Sequence, residues 1–165
     1  MRILHVHWAA LPAAGGVETH IDALARAQRE AGHDVDVVAG TPGSRAAGYD
    51  PALDIRGDRA AVPDLTELLA RARGRDVVQL HNPQWHRPEV LDRLLAELLG
   101  EPWRGAALLD VHNLSDRPED WERLHRWRLP IVVHSEFVAR QVAGRLAGAH
   151  VRVLPLALPR DEEIH

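Results

Sequence analysis

The chain has 165 residues, of which 45% are hydrophobic and 27% are charged, and its formal net charge is −4. This size and composition fit one soluble globular domain with a proper core, and the slight acidity argues against a general nucleic-acid-binding surface. With no cysteine, the chain has no disulfide, no thiolate nucleophile and no Cys-based zinc site. With no lysine, it cannot be a P-loop ATPase or use Schiff-base catalysis.

No apolar run is long enough to cross a membrane. The N-terminal segment does not form the apolar stretch of a signal peptide, because His5, His7 and Trp8 interrupt it. We therefore expect a cytoplasmic protein without a membrane span.

The first predicted element is a strand over residues 2–8, which is apolar or aromatic at most positions, as a strand covered on both faces should be. Gly15 and Gly16 follow and open an amphipathic helix that stops at residues 31–33. Two glycines at a strand-to-helix turn let a ligand approach the backbone, and the free N–H groups of the first helical turn favour an anion. These features indicate a phosphate-binding turn. The alternative is that Gly15 and Gly16 form a tight turn with a purely structural role, because glycines are common in such turns.

The middle of the chain continues with alternating strands and helices. A strand over 34–39 precedes a long loop, which we expect to hold at most a short third strand near 53–56, and a helix then runs from 63–64 to Gly74. The later predicted elements are strands over 76–81, 106–112, 131–134 and 151–154 and helices over 88–99, 119–128 and 135–146, the last with Ser135 as its N-cap. This alternation predicts an α/β, Rossmann-like, doubly wound fold with a mostly parallel sheet and helices on both faces.

Histidine stands at four of the six strand ends where a ligand would bind in such a fold: His7, His81, His112 and His134. Each one alone is readily explained as a hydrogen-bonded structural histidine. A metal site is disfavoured by the absence of closely spaced ligands, and a dinucleotide site by the absence of Gly-x-Gly-x-x-Gly. The remaining hypothesis is a site for a sugar nucleotide or polyol, in which neutral polar side chains hydrogen-bond hydroxyl groups.

Six segments in order resemble one family: GGVE (15–18), AGHDVDVV (31–38), DVVQLHNP (76–83), VHNL (111–114), VHSEF (133–137) and VRVLP (151–155). Together they are similar to the opening domain of the retaining glycosyltransferases of family 4, the group 1 transferases with the two-domain GT-B fold. The resemblance spans nearly the whole chain.

The resemblance implies roles for single residues. It implies that Gly15 and Gly16 face the diphosphate of the donor, and that His112 lies near the transferred sugar and acts in catalysis. The residues expected on the acceptor side of the site are His7, Trp8, His81, Asn82, Asn113 and Ser135. The segment after the last strand departs from the family pattern, because it reads Leu156-Ala157-Leu158 where the family usually has Asn-Gly.

The resemblance also implies a domain organisation. Residues 1–155 correspond to the N-terminal, acceptor-side domain, and residues 156–165 to the start of an interdomain linker or a tail. The implied activity is hexosyl or related transfer from a nucleotide sugar to an acceptor molecule or glycan, with retained configuration and with neither a metal nor a cofactor beyond the donor. This activity requires a C-terminal domain, so we expect the isolated chain to be inactive. The alternatives are a non-catalytic sugar- or partner-binding module and one subunit of a split transferase.

A domain that meets a partner domain should expose apolar side chains at the contact. We expect Trp8, Trp85 and Leu156 to form such a patch, the alternative being that both tryptophans are packed in the core.

Overall fold

The structure is a computed structural model that describes residues 1–12, 15–41, 48–55, 64–100 and 103–156. The strands in these ranges are β1 (Arg2–His7), β2 (Asp34–Ala39), β3 (Gly48–Tyr49), β4 (Val77–His81), β5 (Ala106–Val111), β6 (Ile131–Val133) and β7 (Val151–Val153). The α-helices are α1 (Gly16–Glu30), α2 (Thr66–Arg73), α3 (Pro88–Leu99), α4 (Pro118–Trp127) and α5 (Glu136–Arg145). None of these helices combines the length and the apolar character needed to cross a membrane.

The seven described strands form one sheet in the order β3-β2-β1-β4-β5-β6-β7, and every neighbouring pair is parallel. This arrangement confirms the predicted Rossmann-like, doubly wound fold. The strand order reverses between β1 and β4, and a crevice forms at the carboxyl ends of the strands where this happens. The fold therefore places the ends of β1, β4 and β5 around one possible site.

The two faces of the sheet bury different apolar sets. Leu4 and Val6 of β1 belong to a large core cluster with Leu68 of α2 and Leu91 of α3. The opposite face buries a smaller cluster in which Ile3 of β1 packs with the apolar side of α1. Full burial of each such side chain contributes about 1.5–3 kcal/mol. The sheet is thus covered on both faces, as the apolar strands predict.

The face beneath α1 changes from apolar to polar towards the carboxyl edge of the sheet. Alternate side chains of a strand point to the same face, so Ile3, His5 and His7 follow one another beneath α1. In β4, Val77 is likewise followed by Gln79 and His81 on that face. A layer of buried polar groups therefore lies under α1, next to the crevice.

The C-terminal end of α1 confirms the predicted stop. Gly32 has a left-handed backbone with φ +84°, its N–H donates to the carbonyl of Arg29, and the His33 N–H donates to the carbonyl of Gln28. This is the Schellman arrangement, in which glycine avoids the strain that a side chain would bring. The chain then turns directly into β2.

The third strand is not where the sequence predicts it. Gly48–Tyr49 forms the short strand β3, whereas Pro51–Leu53 is a single turn of 3-10 helix. Asp50 caps this turn, because its carboxylate accepts a hydrogen bond of 2.9 Å from the Ala52 N–H. The predicted strand is therefore wrong over residues 53–55, and Arg56 lies outside the described residues.

The helix that was predicted to begin at residues 63–64 begins later in the structure, at Thr66. Residue 63 lies outside the described residues. The other predicted elements agree with the structure to within one or two residues at each end. The predicted linker or tail is outside the described residues from residue 157 onward.

Candidate functional site

An open cleft of about 400 Å³ lies at the carboxyl edge of the sheet, where β1 and β4 meet and the strand order reverses. We refer to it below as the cleft. Its lining residues are His7, Trp8, Gly15, Gly16, Val17, Glu18, Asn82, Trp85, His112, Asn113, His134 and Leu156.

Seven of the nine predicted site residues line the cleft, and His81 and Ser135 do not. His81 is fully buried beneath the cleft floor. Ser135 is the N-cap of α5, as predicted, because its hydroxyl accepts a hydrogen bond of 3.2 Å from the Val138 N–H. His81 therefore lies out of reach of a bound ligand, and the hydroxyl of Ser135 is used by its helix.

The glycine turn borders the cleft at the start of α1. Gly15 has extended backbone angles and its carbonyl accepts the Thr19 N–H, so it forms the N-cap without a capping side chain. A Cβ atom added to Gly16 would meet no other atom within 4 Å. The backbone of Gly16 thus faces open space, and the N-terminus of a 15-residue helix favours negative charge there.

Asn82 connects the end of β4 to the end of β5. Its side-chain oxygen accepts hydrogen bonds from the backbone N–H groups of His112 at 3.0 Å and Asn113 at 3.1 Å, and its amide donates to the Asn113 side chain. The backbone of Asn82 is left-handed, with φ 46°, a conformation that asparagine tolerates better than most residues. Asn82 thereby fixes the position of His112 in the cleft.

Asp110 is fully buried below the cleft and is surrounded by imidazoles. Its Oδ1 atom lies 2.7 Å from His134 Nε2 and 3.3 Å from His112 Nε2. Its Oδ2 atom accepts a hydrogen bond of 2.6 Å from the Gln79 amide and lies 3.2 Å from His81 Nδ1. Burial opposes ionisation of Asp110, but the hydrogen bonds from His112, His134 and His81 hold its pKa well below the usual value. The group is therefore an ionised carboxylate.

The buried chain of polar groups continues away from the cleft. His81 Nε2 lies 2.9 Å from His5 Nδ1, and His5 Nε2 lies 2.8 Å from the Gln28 carbonyl oxygen on α1. Burial lowers the pKa of His5 and holds that of His81 well below its usual value, so both rings are neutral near pH 7. His81 is thus a supporting residue that links α1 to Asp110.

The chain matches the family model described as Glycosyltransferase Family 4 over residues 14–161. The chain belongs to Glycosyltransferase Family 4. The matched region corresponds to the N-terminal domain of the family, which confirms the resemblance seen in the sequence. No curated protein matches the chain. Membership of this family assigns the protein to the glycosyltransferases, which act on sugar substrates.

Glu18 places a negative charge at the cleft of this family 4 domain. Its carboxylate folds back towards Gly15, where an added Cβ would lie 2.2 Å from Glu18 Oε2, and its Oε1 atom lies 3.3 Å from His7 Nε2. The interaction with His7 lowers the pKa of Glu18 despite burial. The sequence prediction missed Glu18 as a site residue, although its place in the first helical turn, next to the glycines, is a signal for it.

His134 forms the wall of the cleft on the side of β6. Burial disfavours its charged form, but the hydrogen bond to Asp110 raises the pKa of His134 overall. Its Nδ1 atom lies 2.8 Å from the carbonyl oxygen of Leu154, which follows β7. His134 is one of the four histidines at the predicted strand ends, but it is not among the predicted site residues.

His20 reaches the same place from the second turn of α1. Its buried ring lies with its centroid 4.7 Å from that of His134 and 5.1 Å from that of His112. His20 and Asp110 were both missed by sequence reasoning. Asp110 could have been found, because it stands two residues before His112 and so shares its face of the predicted strand over 106–112. Nothing local in the sequence connects His20 with residues more than 80 positions away.

Apolar side chains at the cleft of the family 4 domain are partly exposed. Trp85 is 39% exposed and Leu156 is 45% exposed, which confirms the predicted exposure of these two. Trp8 is half-buried. This apolar rim on an otherwise polar cleft is the kind of surface that a second domain covers.

Proposed function

We propose that this family 4 domain is the acceptor-side half of a GT-B glycosyltransferase, which moves a sugar from a nucleotide-sugar donor to an acceptor with retention of configuration. One observation carries the proposal: Gly16 and His112 line the same cleft, at the reversal of strand order. A phosphate-binding turn and a hydrogen-bonding imidazole are thus within reach of one bound molecule.

The donor diphosphate is expected over Gly16. A ligand can approach the backbone there because no side chain intervenes, and the N-terminus of α1 favours its charge. The ionised Glu18 carboxylate disfavours a phosphate directly over Gly15. The diphosphate therefore belongs on the open side of the turn.

The described side chains that line the cleft carry no permanent positive charge to face a departing diphosphate. None of its described lining residues is arginine, and the chain has no lysine. Stabilisation of a developing negative charge requires fixed positive groups in a site that excludes water. We therefore assign those groups to a second domain, and we expect the 165-residue chain alone to show no transfer.

His112 and Asn113 supply groups that suit sugar hydroxyls. An imidazole and an amide can each donate or accept a hydrogen bond, and Asn82 fixes the backbone that carries both. Glycoside hydrolysis, by contrast, needs two carboxyl groups about 5–9.5 Å apart. Glu18 is the one acidic residue among the described residues that line the cleft, so the geometry favours transfer over hydrolysis.

The test is transfer of a labelled sugar from a panel of nucleotide-sugar donors by the protein that carries both domains. We expect transfer from at least one donor, loss of it in His112→Ala, and no loss in His125→Ala, whose side chain is exposed on α4. The 165-residue chain is assayed in parallel. Robust turnover by this chain alone, or equal activity in His112→Ala, would contradict the proposal.

A further inference from the structure

Four potential metal ligands meet at the base of the cleft. His20, Asp110, His112 and His134 each offer one ligand atom, and these four atoms all lie within 4.8 Å of one another. They come from α1, from the end of β5 and from the end of β6. Three imidazole nitrogens and one carboxylate oxygen form a donor set that suits Zn²⁺ and its neighbours among the divalent transition metals. In contrast to the sequence-based expectation of a site without a metal, we propose that these four side chains bind one such ion.

The distances require little rearrangement. A tetrahedral ion with bonds of about 2.0 Å has ligand atoms about 3.3 Å apart. The distance from Asp110 Oδ1 to His112 Nε2 is already 3.3 Å, and that from Asp110 Oδ1 to His134 Nε2 is 2.7 Å. An ion would therefore separate the last pair slightly, and all four ligand atoms already lie within 4.8 Å of one another.

Two of the ligands are held by hydrogen bonds on the side away from the site. Leu154 provides a carbonyl 2.8 Å from His134 Nδ1, which favours a hydrogen on Nδ1 and leaves Nε2 to bind the ion. The Gln79 amide donates to Asp110 Oδ2, which leaves Oδ1 facing His112 and His134. Metal sites in proteins commonly orient their ligands in this way.

The charge and the access of the site also fit a cation. Asp110 is a fully buried carboxylate, and the charged or polar groups described around it are imidazoles and an amide rather than arginine. Buried carboxylates are paired with hydrogen-bonding or charged partners, or they coordinate metal ions. His112 and His134 line the cleft, so an ion can enter from solvent.

This proposal does not depend on glycosyl transfer, because binding is measured without a donor or an acceptor. The 165-residue chain is treated with a chelator and then titrated with Zn²⁺ by calorimetry and with Co²⁺ by visible absorption. We expect one ion per chain and the intense visible bands of tetrahedral Co²⁺. We also expect Zn²⁺ to raise the Tm, because it binds the folded state.

Variants distinguish this site from binding to the other histidines, because three of the 11 histidines of the chain are proposed ligands and eight are not. Asp110→Asn and His134→Ala should each weaken Zn²⁺ binding by at least about tenfold, whereas His125→Ala, at an exposed position, should bind as the wild type does. Circular dichroism checks that each variant is folded. If buried Asp110→Asn does not fold, the half-buried His134→Ala decides.

Three results would overturn the proposal. The first is no Zn²⁺ binding beyond that of a control sample that still contains the chelator. The second is an unchanged Zn²⁺ affinity in folded His134→Ala. The third is a weak Co²⁺ spectrum of the octahedral type in the wild type, together with an equal loss of Co²⁺ binding in His125→Ala and in His134→Ala. Each of them leaves the transfer assay unaffected, so failure of the metal site and failure of the proposed function are separable.

Discussion

The side-chain oxygen of Asn82 lies 3.0 Å from the backbone nitrogen of His112, so the turn after β4 holds the turn after β5. The same oxygen accepts the Asn113 N–H at 3.1 Å. Asn82 is fully buried and its backbone is left-handed, so most other residues would fit poorly at this position. The position of His112 thus depends on a residue of a neighbouring strand rather than on its own turn alone.

Two substitutions of Asn82 should separate the contribution of its side-chain hydrogen bonds from that of its left-handed backbone. Asn82→Gly keeps the left-handed backbone but leaves two N–H groups without their partner, so we expect a loss of about 1–3 kcal/mol in unfolding free energy and a lower kcat/KM. Asn82→Ala adds backbone strain of about 1 kcal/mol. Denaturant unfolding and steady-state kinetics measure both effects. Equal stability of the two variants would show that the left-handed backbone carries no strain.

Replacement of Gly16 should affect the donor without unfolding the domain. A side chain at Gly16 projects into open space where we expect the diphosphate, so Gly16→Val in the two-domain enzyme should raise the donor KM or abolish turnover at a nearly unchanged Tm. The matched control is Gly40→Ala, whose Cβ would lie 2.3 Å from the backbone of Leu53, and which should lower the Tm. Wild-type kinetics in Gly16→Val would mean that the turn is purely structural.

Loss of the His112 imidazole should lower kcat and kcat/KM together. If its contacts form in the transition state, His112→Ala costs roughly 2–4 kcal/mol in kcat/KM, in addition to a smaller loss of stability from the contact with Asp110. Kinetics and thermal unfolding of the same variant compare the two losses. A lower Tm with unchanged activity per folded molecule would remove His112 from the catalytic site.

Burial of His86 should make the stability depend on pH. Burial lowers the pKa of His86 to about 3, from an ordinary value near 6.5. The unfolded chain therefore binds more protons between these values, so the folded state is favoured above pH 6.5 and loses stability as the pH falls towards 3. The full shift corresponds to about 3–5 kcal/mol.

The measurement for His86 is the unfolding free energy of the wild type and of His86→Gln between pH 7 and pH 4. Glutamine can still donate to the His81 carbonyl, which lies 3.2 Å from His86 Nε2, but it does not titrate. We expect the difference between the two proteins to change steadily with pH in the variant's favour as the pH falls. A constant difference would contradict a neutral, buried His86.

Local patterns determined most of the fold. The alternation of apolar strands and amphipathic helices predicted the parallel sheet, Gly32 predicted the end of α1, and Ser135 predicted the start of α5. These signals are reliable because capping and strand burial act over a few neighbouring residues. The third strand was misplaced because a strand of two residues, Gly48–Tyr49, has no periodicity to detect.

The sequence by itself also determined that polar residues and a glycine turn would meet at the ends of β1, β4 and β5, since parallel strands end at one edge of the sheet. The tertiary structure alone decided which of these side chains face the cleft. It buried His81 beneath the floor and brought His20 from α1 to Asp110 and His134. The physical reason is that strand order and helix crossing set these contacts, and neither is encoded in the spacing of residues along the chain.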